Sequence, residues 1–347
     1  MIYLDSAAAT RALPCAIETM KQICSVPANP NSSHVIGQDA RATLDAATAK
    51  IKHLIGANSG TVHYFPTATA AAQNAIYSLT AAGYGVCRYD TEHHSVLAPT
   101  FIEQETSKHR GTNGIAYCRM LSNNETGETF ESLRLDKGQY WVCDATAAMG
   151  HIPVNVKKLG CHYLIGDALK FGGVPGCAFV WVSDGAPFTP LVEGGTPSVG
   201  LICAMAAALE WHVEHMAENT EHIKALREIF VKSFQKACLD YGNYGLVNGD
   251  WESSERQLPH ILNVSFEGVD GKALALMCSK RGVMVSAGAA CTSGNNEPSH
   301  VLMAMFHDEQ RARSAIRISL SHENTPEECE QAAKIIAECV KTLREIG

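Results

Sequence analysis

The sequence predicts an α/β protein with a large, doubly wound, mainly parallel sheet and a smaller α+β part near the C-terminus. In the first half of the chain, short apolar runs typical of buried strands alternate with helical or loop segments. Two longer helical patterns follow, and then a mixture of strands and helices. The chain has 347 residues, of which 46% are hydrophobic, so it is long enough to bury a large core and to form two domains.

The large sheet is predicted from six apolar runs. Helical periodicity predicts helices over residues 67–82, 202–215 and 218–239. The predicted strands are residues 62–65, 84–90, 115–121, 139–146, 163–168 and 176–182.

The C-terminal part is predicted to alternate strands and helices. Thr325 followed by Pro326 and two acids is typical of a helix start. We expect a large domain over residues 15–235 and a small α+β domain over residues 1–14 and 236–347. The small domain would contain strands at 260–269, 283–285 and 314–321 and helices at 272–282, near 298–305 and at 325–346.

Composition excludes several classes of function. The net charge of −8 and the interspersed charges do not suit nucleic-acid binding. Apolar stretches are too short to span a membrane, and residues 1–14 lack the pattern of a signal peptide, so we expect a cytoplasmic protein. The thirteen cysteines contain no CxxC pair, which favours neither a metal site nor a disulfide framework, and most should be buried, reduced thiols.

Polar residues after the predicted strands are candidates for chemistry, because ligands of such sheets bind at the carboxyl ends of the strands. Asp144 closes one strand, where a carboxylate needs a positive or protonated partner or serves as a helix cap. Lys170 precedes a glycine-rich turn and is either an exposed lysine or, in a desolvated pocket, an amine able to form a Schiff base. His93 or His94 would lie against an aromatic ligand or have a structural role.

Cys291 stands in a run of small and turn-forming residues that starts at Ser286. A structural cysteine usually has bulky apolar neighbours, whereas a flexible loop is expected here. From its surroundings alone it is either a spare thiol or a nucleophile carried on a loop.

Ten short stretches in order indicate a family. On these motifs the chain resembles the cysteine desulfurases, the NifS-like class V branch of fold-type I pyridoxal phosphate (PLP) enzymes, over nearly its whole length. The stretches are YLDSAAAT, ANPNSSHVIGQDA, TEHHSVL, SNNETGE, VCDATAAMG, ALKFGG, VNGD, ILNVSF, SAGAACTS with EPSHVL, and SAIRISL.

The resemblance implies roles for the residues at the matching positions. Lys170 would bind PLP covalently and shuttle protons, and Asp144 would pair with the pyridinium nitrogen. His93 would stack on the ring, and Asn124 would contact the ring hydroxyl or the substrate carboxylate. Arg317 would bind that carboxylate through its planar fork.

For Cys291 the resemblance implies that the thiolate attacks the sulfur of L-cysteine, which releases L-alanine and leaves a persulfide. The loop would carry this sulfur to an acceptor protein, such as an iron–sulfur scaffold or a thiolation partner. The family also implies a homodimer in which Thr196 would reach the phosphate bound by a neighbouring subunit.

The chain departs from the family pattern at the turn expected to bind the PLP phosphate. The glycine–alanine–threonine–glutamate turn of the family reads TATAAA at residues 67–72. The N–H groups of the predicted helix remain available. The hydroxyl would come from Thr69 or Thr67, and Ala70 provides none.

A second departure surrounds Lys170. The serine and histidine of the family's Ser-Gly-His-Lys run are Asp167 and Leu169 here, and a glutamine near Asp144 is Ala147. An aspartate beside a phosphate is repulsive by about 4 kcal/mol per unit-charge pair at contact range and an effective dielectric near 20. Asp167 therefore points away, is protonated, or weakens phosphate binding.

Three hypotheses follow. In the first, the chain is a PLP-dependent cysteine desulfurase. In the second, it is a divergent relative with weak or no PLP binding that acts as a sulfur carrier or adaptor. In the third, it is a selenocysteine lyase or another class V enzyme, such as an aminotransferase that does not need Cys291.

Overall fold

The structure is a computed structural model, and it describes residues 1–27, 29–98, 113–241, 245–249, 256–288 and 297–346. The strands are β1 (Ile2–Tyr3), β2 (Thr61–Phe65), β3 (Gly85–Arg88), β4 (Ile115–Cys118), β5 (Tyr140–Asp144), β6 (Tyr163–Asp167), β7 (Ala178–Val182), β8 (Leu246–Val247), β9 (Ile261–Ser265), β10 (Val283–Met284) and β11 (Ala315–Ser319). The helices are α1 (Pro14–Cys24), α2 (Val35–Leu54), α3 (Ala68–Ala81), α4 (His94–Leu97), α5 (Val156–Leu159), α6 (Val199–Glu214), α7 (Met216–Tyr241), α8 (Gly271–Lys280), α9 (His300–Phe306), α10 (Glu309–Arg313) and α11 (Pro326–Ile346), with a 3-10 turn at Ala168–Lys170.

A six-stranded sheet confirms the predicted fold class. Its order is β2-β7-β6-β5-β4-β3, and β3, β4, β5 and β6 pair in parallel. Strand β7 is antiparallel to both of its neighbours, β2 and β6. All six strands coincide with the apolar runs from which they were predicted.

The register of the sheet brings the ends of β2 and β6 level with each other. Ala178 at the start of β7 pairs with Phe65 on one side and with Asp167 on the other. Since β7 is antiparallel to both, β2 and β6 run in the same direction and end at the same edge. The chain segments that leave β2, β5 and β6 therefore emerge along one edge of the sheet.

Helices cover both faces of this sheet. Leu164 belongs to an apolar cluster with side chains of α1, α2 and α6, whereas the next residue, Ile165, belongs to a cluster with α3. This alternation is the two-residue period of a strand that is buried on both faces. It explains why the central strands read as continuous apolar runs.

The remaining residues form a second core around a small antiparallel sheet of order β11-β9-β8 and a parallel pair, β1 and β10. Helices α7, α8 and α11 supply most of its apolar side chains. Phe230 and Phe234 stack at a ring-centroid distance of 5.8 Å, and Phe266 packs edge-on against Phe234.

The chain divides into two compact units. The sheet unit comprises residues 10–121 and 130–215, and the C-terminal unit comprises residues 1–9, 122–129 and 216–347. All of α7 lies in the C-terminal unit, where it packs along α11. The predicted domain boundaries themselves stay a prediction.

Two further expectations concern the whole chain. Among the described residues, no helix combines the length and the apolar character needed to cross a bilayer. Most of the described cysteines are buried and all of them are free thiols, as the absence of CxxC pairs suggested.

Candidate active site

Lys170 and Asp144 follow neighbouring parallel strands of the sheet unit. Asp144 is the last residue of β5, and Lys170 ends the 3-10 turn that follows β6. In the register, Asp144 pairs with Ile165, two residues before the end of β6. Both side chains therefore start from the same edge of the sheet.

The carboxylate of Asp144 is buried, and one of its oxygens is fixed by the backbone. Its Oδ1 atom accepts the N–H of Thr146 at 2.9 Å. Its Oδ2 atom has no hydrogen-bond partner among the described residues. Asp144 thus caps the turn that follows β5, whereas the sequence left open that it caps a helix. Its Oδ2 atom remains available to accept a hydrogen bond.

His93 precedes α4 and its ring is oriented by the first turn of that helix. The Nδ1 atom accepts the backbone N–H of Ser95 at 3.1 Å and lies 2.9 Å from the Ser95 hydroxyl. Because a backbone N–H only donates, Nδ1 must act as an acceptor, and the neutral ring carries its proton on Nε2. The orientation of the ring is therefore set locally by the sequence His-His-Ser.

Glu92 is a buried acid that the sequence analysis did not identify. Its Oε1 atom accepts the N–H of Met120 at 2.8 Å. Burial, reinforced by the negative charge of Asp144, raises the pKa of Glu92 to about 8 despite that hydrogen bond and the nearby Arg119. In the sequence, only its position directly before His93 could have indicated that Glu92 lies near the candidate site.

The predicted phosphate hydroxyl lies at the start of α3. Thr67 is the N-cap residue, and its hydroxyl accepts the N–H of Ala70 at 3.2 Å. Thr69 is the second residue of the helix and is exposed. Thr67, rather than Thr69, has its hydroxyl directed to the N–H groups of this turn.

Asp167 points toward the same turn. Its Oδ2 atom accepts the N–H of Ala68 at 3.1 Å, and its Oδ1 atom accepts the N–H of Leu169 at 3.0 Å. The sequence left three alternatives open for Asp167, and the structure rules out the one in which its carboxylate points away from the helix.

Arg317 belongs to the C-terminal unit, on β11, and its guanidinium is buried. Its Nη2 atom forms an ion pair with Oδ1 of Asp5 at 2.9 Å, and its Nη1 atom donates to the backbone oxygen of Asn124 at 2.9 Å. The hydroxyl of Ser286 also donates to Asp5, at 2.8 Å. The Nε atom of Arg317 is buried and has no hydrogen-bond partner among the described residues.

Asn124, Thr196 and Cys291 are the other residues predicted to belong to the site. Asn124 contributes its backbone oxygen to Arg317, and Thr196 is exposed in the segment before α6. Cys291 lies outside the described residues. In the described ranges no group of three or more histidine, cysteine or acidic side chains is arranged to bind a metal ion.

Comparison with known proteins identifies the family. The model of the class-V aminotransferases matches residues 2–112 and 186–331. A cysteine desulfurase of Gluconacetobacter diazotrophicus is 30% identical over 100% of this chain and 95% of its own length. The chain belongs to the cysteine desulfurases of the class-V aminotransferase family. The cysteine desulfurase IscS of Dictyoglomus turgidum is 29% identical over 100% of this chain and 96% of its own length.

Solved structures show the same fold. A NifS-like protein superposes with a TM-score of 0.82 at 24% identity and covers 97% of this chain and 98% of its own. A structure of SspA in complex with cysteine superposes with a TM-score of 0.70 at 21% identity, covering 94% and 100%. These proteins confirm the fold-type I architecture.

The family is PLP-dependent, and the residues of this chain fit the two ends of that cofactor differently. The resemblance assigns Lys170, Asp144 and His93 to the pyridine end, and these residues carry an amine, a carboxylate and an aromatic ring. At the phosphate end the fit is poorer, since the carboxylate of Asp167 already accepts an N–H of the helix terminus. The family model matches on either side of residues 113–185, the interval that contains Asp144, Asp167 and Lys170.

Replacing Glu92 by glutamine should change the dependence of stability on pH. The folded-state pKa of about 8 exceeds the ordinary value of 4.5, so between these pH values the folded protein binds more protons than the unfolded chain. Wild-type stability should then fall as pH rises through this window, by up to about 1.4 kcal/mol per pH unit. Denaturant unfolding at several pH values measures the slope.

Glu92→Gln cannot ionise and should lack this part of the slope. Glu193→Gln, at an exposed position of the same unit, serves as the control and should follow the wild type. Parallel stability curves for wild type and Glu92→Gln would contradict the assignment of a raised pKa to this group.

Replacing Asp5 by alanine should destabilise the protein strongly. The change leaves the guanidinium of Arg317, 2% exposed, without its carboxylate, and breaking such a buried pair costs about 3–5 kcal/mol. Glu210→Ala breaks the more exposed ion pair with Lys50 and should cost at most about 1 kcal/mol. Similar shifts of the denaturation midpoint for the two variants would show that the Asp5–Arg317 pair contributes no more to stability than the exposed pair.

Proposed function

We propose that this chain is a PLP-dependent cysteine desulfurase that converts L-cysteine to L-alanine and a persulfide on Cys291. The observation that carries the proposal is the placement of Lys170, Asp144 and His93 along one edge of the parallel sheet. Membership of the cysteine desulfurases supports it.

The residues of the sheet unit would hold the pyridine end of the cofactor. When bound, PLP supplies a conjugated ring that accepts an electron pair released from the substrate. The Lys170 amine would bond the cofactor aldehyde and then move protons at the substrate carbon. The free Oδ2 atom of Asp144 would hold the proton on the ring nitrogen, and the His93 ring would cover one face.

Arg317 and Asn124 would bind the carboxylate of L-cysteine. The proposal is supported by the unpartnered Nε atom of Arg317, which provides a donor for a carboxylate oxygen. The Nη2 atom already serves Asp5, so the substrate would share the guanidinium with this acid instead of replacing it. Sharing limits the positive charge that the substrate meets, which favours moderate substrate affinity.

Cys291 would carry out the transfer of sulfur. Its thiolate attacks the sulfur of the substrate, so that an S–S bond forms while the C–S bond breaks. The electron pair of the broken bond stays on the substrate carbon, which takes up a proton and becomes the methyl group of alanine. The Cys291 sulfur is thereby oxidised to the persulfide level, and the substrate carbon is reduced.

We also propose a sulfur acceptor, an oligomeric state and a cellular compartment for this reaction. The persulfide would pass to the thiol of an acceptor protein, such as an iron–sulfur scaffold or a thiolation partner. A homodimer would give Thr196, which is exposed, access to a site on the neighbouring subunit. The free cysteines support a reducing compartment such as the cytoplasm.

The position of Asp167 favours a second candidate function, that of a sulfur carrier or adaptor with weak or no PLP binding. An acid at the phosphate end would lower the affinity for PLP, while Cys291 would still be present to carry sulfur. This candidate predicts binding of a partner protein without release of alanine from L-cysteine.

Replacing Lys170 by alanine should abolish the visible absorbance of the protein reconstituted with PLP and should lower alanine formation by about a thousandfold or more. Lys158→Ala, at an exposed position of α5, should keep both signals. Absorbance spectra and alanine assays measure the two effects. A wild-type protein that remains colourless with added PLP would favour the carrier function.

Replacing Cys291 by serine should keep the visible absorbance and should eliminate persulfide and sulfide production, because a hydroxyl does not accept sulfur. Cys87→Ser, at an exposed cysteine of β3, should retain production and serves as the control. Retained transamination in Cys291→Ser would instead favour an aminotransferase, and retained activity on selenocysteine would favour a lyase.

A further inference from the structure

The N-terminus of α3 is capped by side chains of the chain itself. Oδ2 of Asp167 accepts the N–H of Ala68, the first residue of the helix, at 3.1 Å. The hydroxyl of Thr67 accepts the N–H of Ala70, the third residue, at 3.2 Å. The second carboxylate oxygen of Asp167 accepts the N–H of Leu169 at 3.0 Å. The carboxylate is thus held by backbone donors from two different elements.

The sheet register explains why Asp167 reaches this helix. Asp167 ends β6, Phe65 ends β2, and both pair with Ala178 of the strand between them. Helix α3 begins at Ala68, three residues after the end of β2. An acid at position 167 is therefore placed beside the helix terminus by the backbone, and the contact is a property of the fold.

A carboxylate at this position changes which ligand the site prefers. A helix N-terminus carries about half a positive charge and attracts a phosphate. Asp167 already supplies a negative charge there and forms no salt bridge among the described residues. A phosphate would find the helix charge neutralised and would be repelled by the acid. Leu169 and Ala70 add no polar side chain that would compensate.

We propose that Asp167 acts as an internal replacement for the cofactor phosphate, which weakens the binding of PLP and lets the site also accept a pyridine aldehyde with an uncharged 5′ group. This inference rests on the proposed function, because it assumes that Lys170 and Asp144 bind the ring of a pyridoxal-type cofactor. It makes Asp167 a residue that determines cofactor specificity.

The test compares binding of PLP and of pyridoxal, which has the same ring and aldehyde without the phosphate. Dissociation constants are measured by equilibrium dialysis for wild type, Asp167→Asn and Asp167→Ser. Asparagine removes the charge at nearly the same volume, and serine keeps a hydroxyl acceptor. The ratio of the PLP constant to the pyridoxal constant should fall about tenfold or more in both variants relative to wild type.

Comparing these ratios between proteins cancels the tendency of free pyridoxal to cyclise in water. Asp270→Asn is the matched control, because Asp270 caps α8 in the C-terminal unit through the N–H of Ala273. Its ratio should equal that of the wild type. Circular dichroism verifies that each variant is folded.

The possible outcomes separate this inference from the proposed function. If both ligands bind and the ratio is the same in wild type and both Asp167 variants, the inference is wrong while the proposed function stands. If neither ligand binds any of the proteins, both fail. Should the Asp167 variants not fold, the wild type decides alone, since binding PLP about a hundredfold more tightly than pyridoxal would overturn the inference.

Discussion

The common edge at which the parallel strands end is the constraint on which the candidate site depends. Strands β5 and β6 are hydrogen-bonded neighbours, and β2 ends level with β6 because both pair with β7 in the same register. Residues far apart in sequence, including Asp144 and Lys170, consequently start from one line of backbone. Loops without such strands would position the Lys170 amine and the Asp144 carboxylate less precisely, because no hydrogen-bonded ladder would fix where the loops begin.

The same edge concentrates acidic side chains. Glu92, Asp144 and Asp167 all lie near the ends of its strands, and each is stabilised differently. Asp144 and Asp167 accept backbone N–H groups, whereas Glu92 is buried and has its pKa raised to about 8. A protonated Glu92 limits the repulsion between neighbouring acids. Backbone N–H groups and burial thus allow three acids to lie near one edge of the sheet.

In the C-terminal unit, the buried charge of Arg317 is likewise stabilised by contacts within the chain. A guanidinium that is 2% exposed requires a negative partner, and Asp5 supplies it from the start of the chain. Ser286 and Asn124 satisfy further groups of the same network. The guanidinium of Arg317 is therefore held in one orientation by contacts within the chain itself.

The sequence by itself determined the fold class and the six strands of the large sheet, because strand periodicity is a local pattern, and its short motifs made Lys170, Asp144 and His93 candidates for the site. Only the tertiary structure decided what the acids do. Asp167 and Ala68 are 99 residues apart in sequence, and Asp5 and Arg317 are 312 apart. No local pattern encodes such pairs. The direction of a side chain depends on strand register and burial, which exist only once the sheet and the two cores have formed.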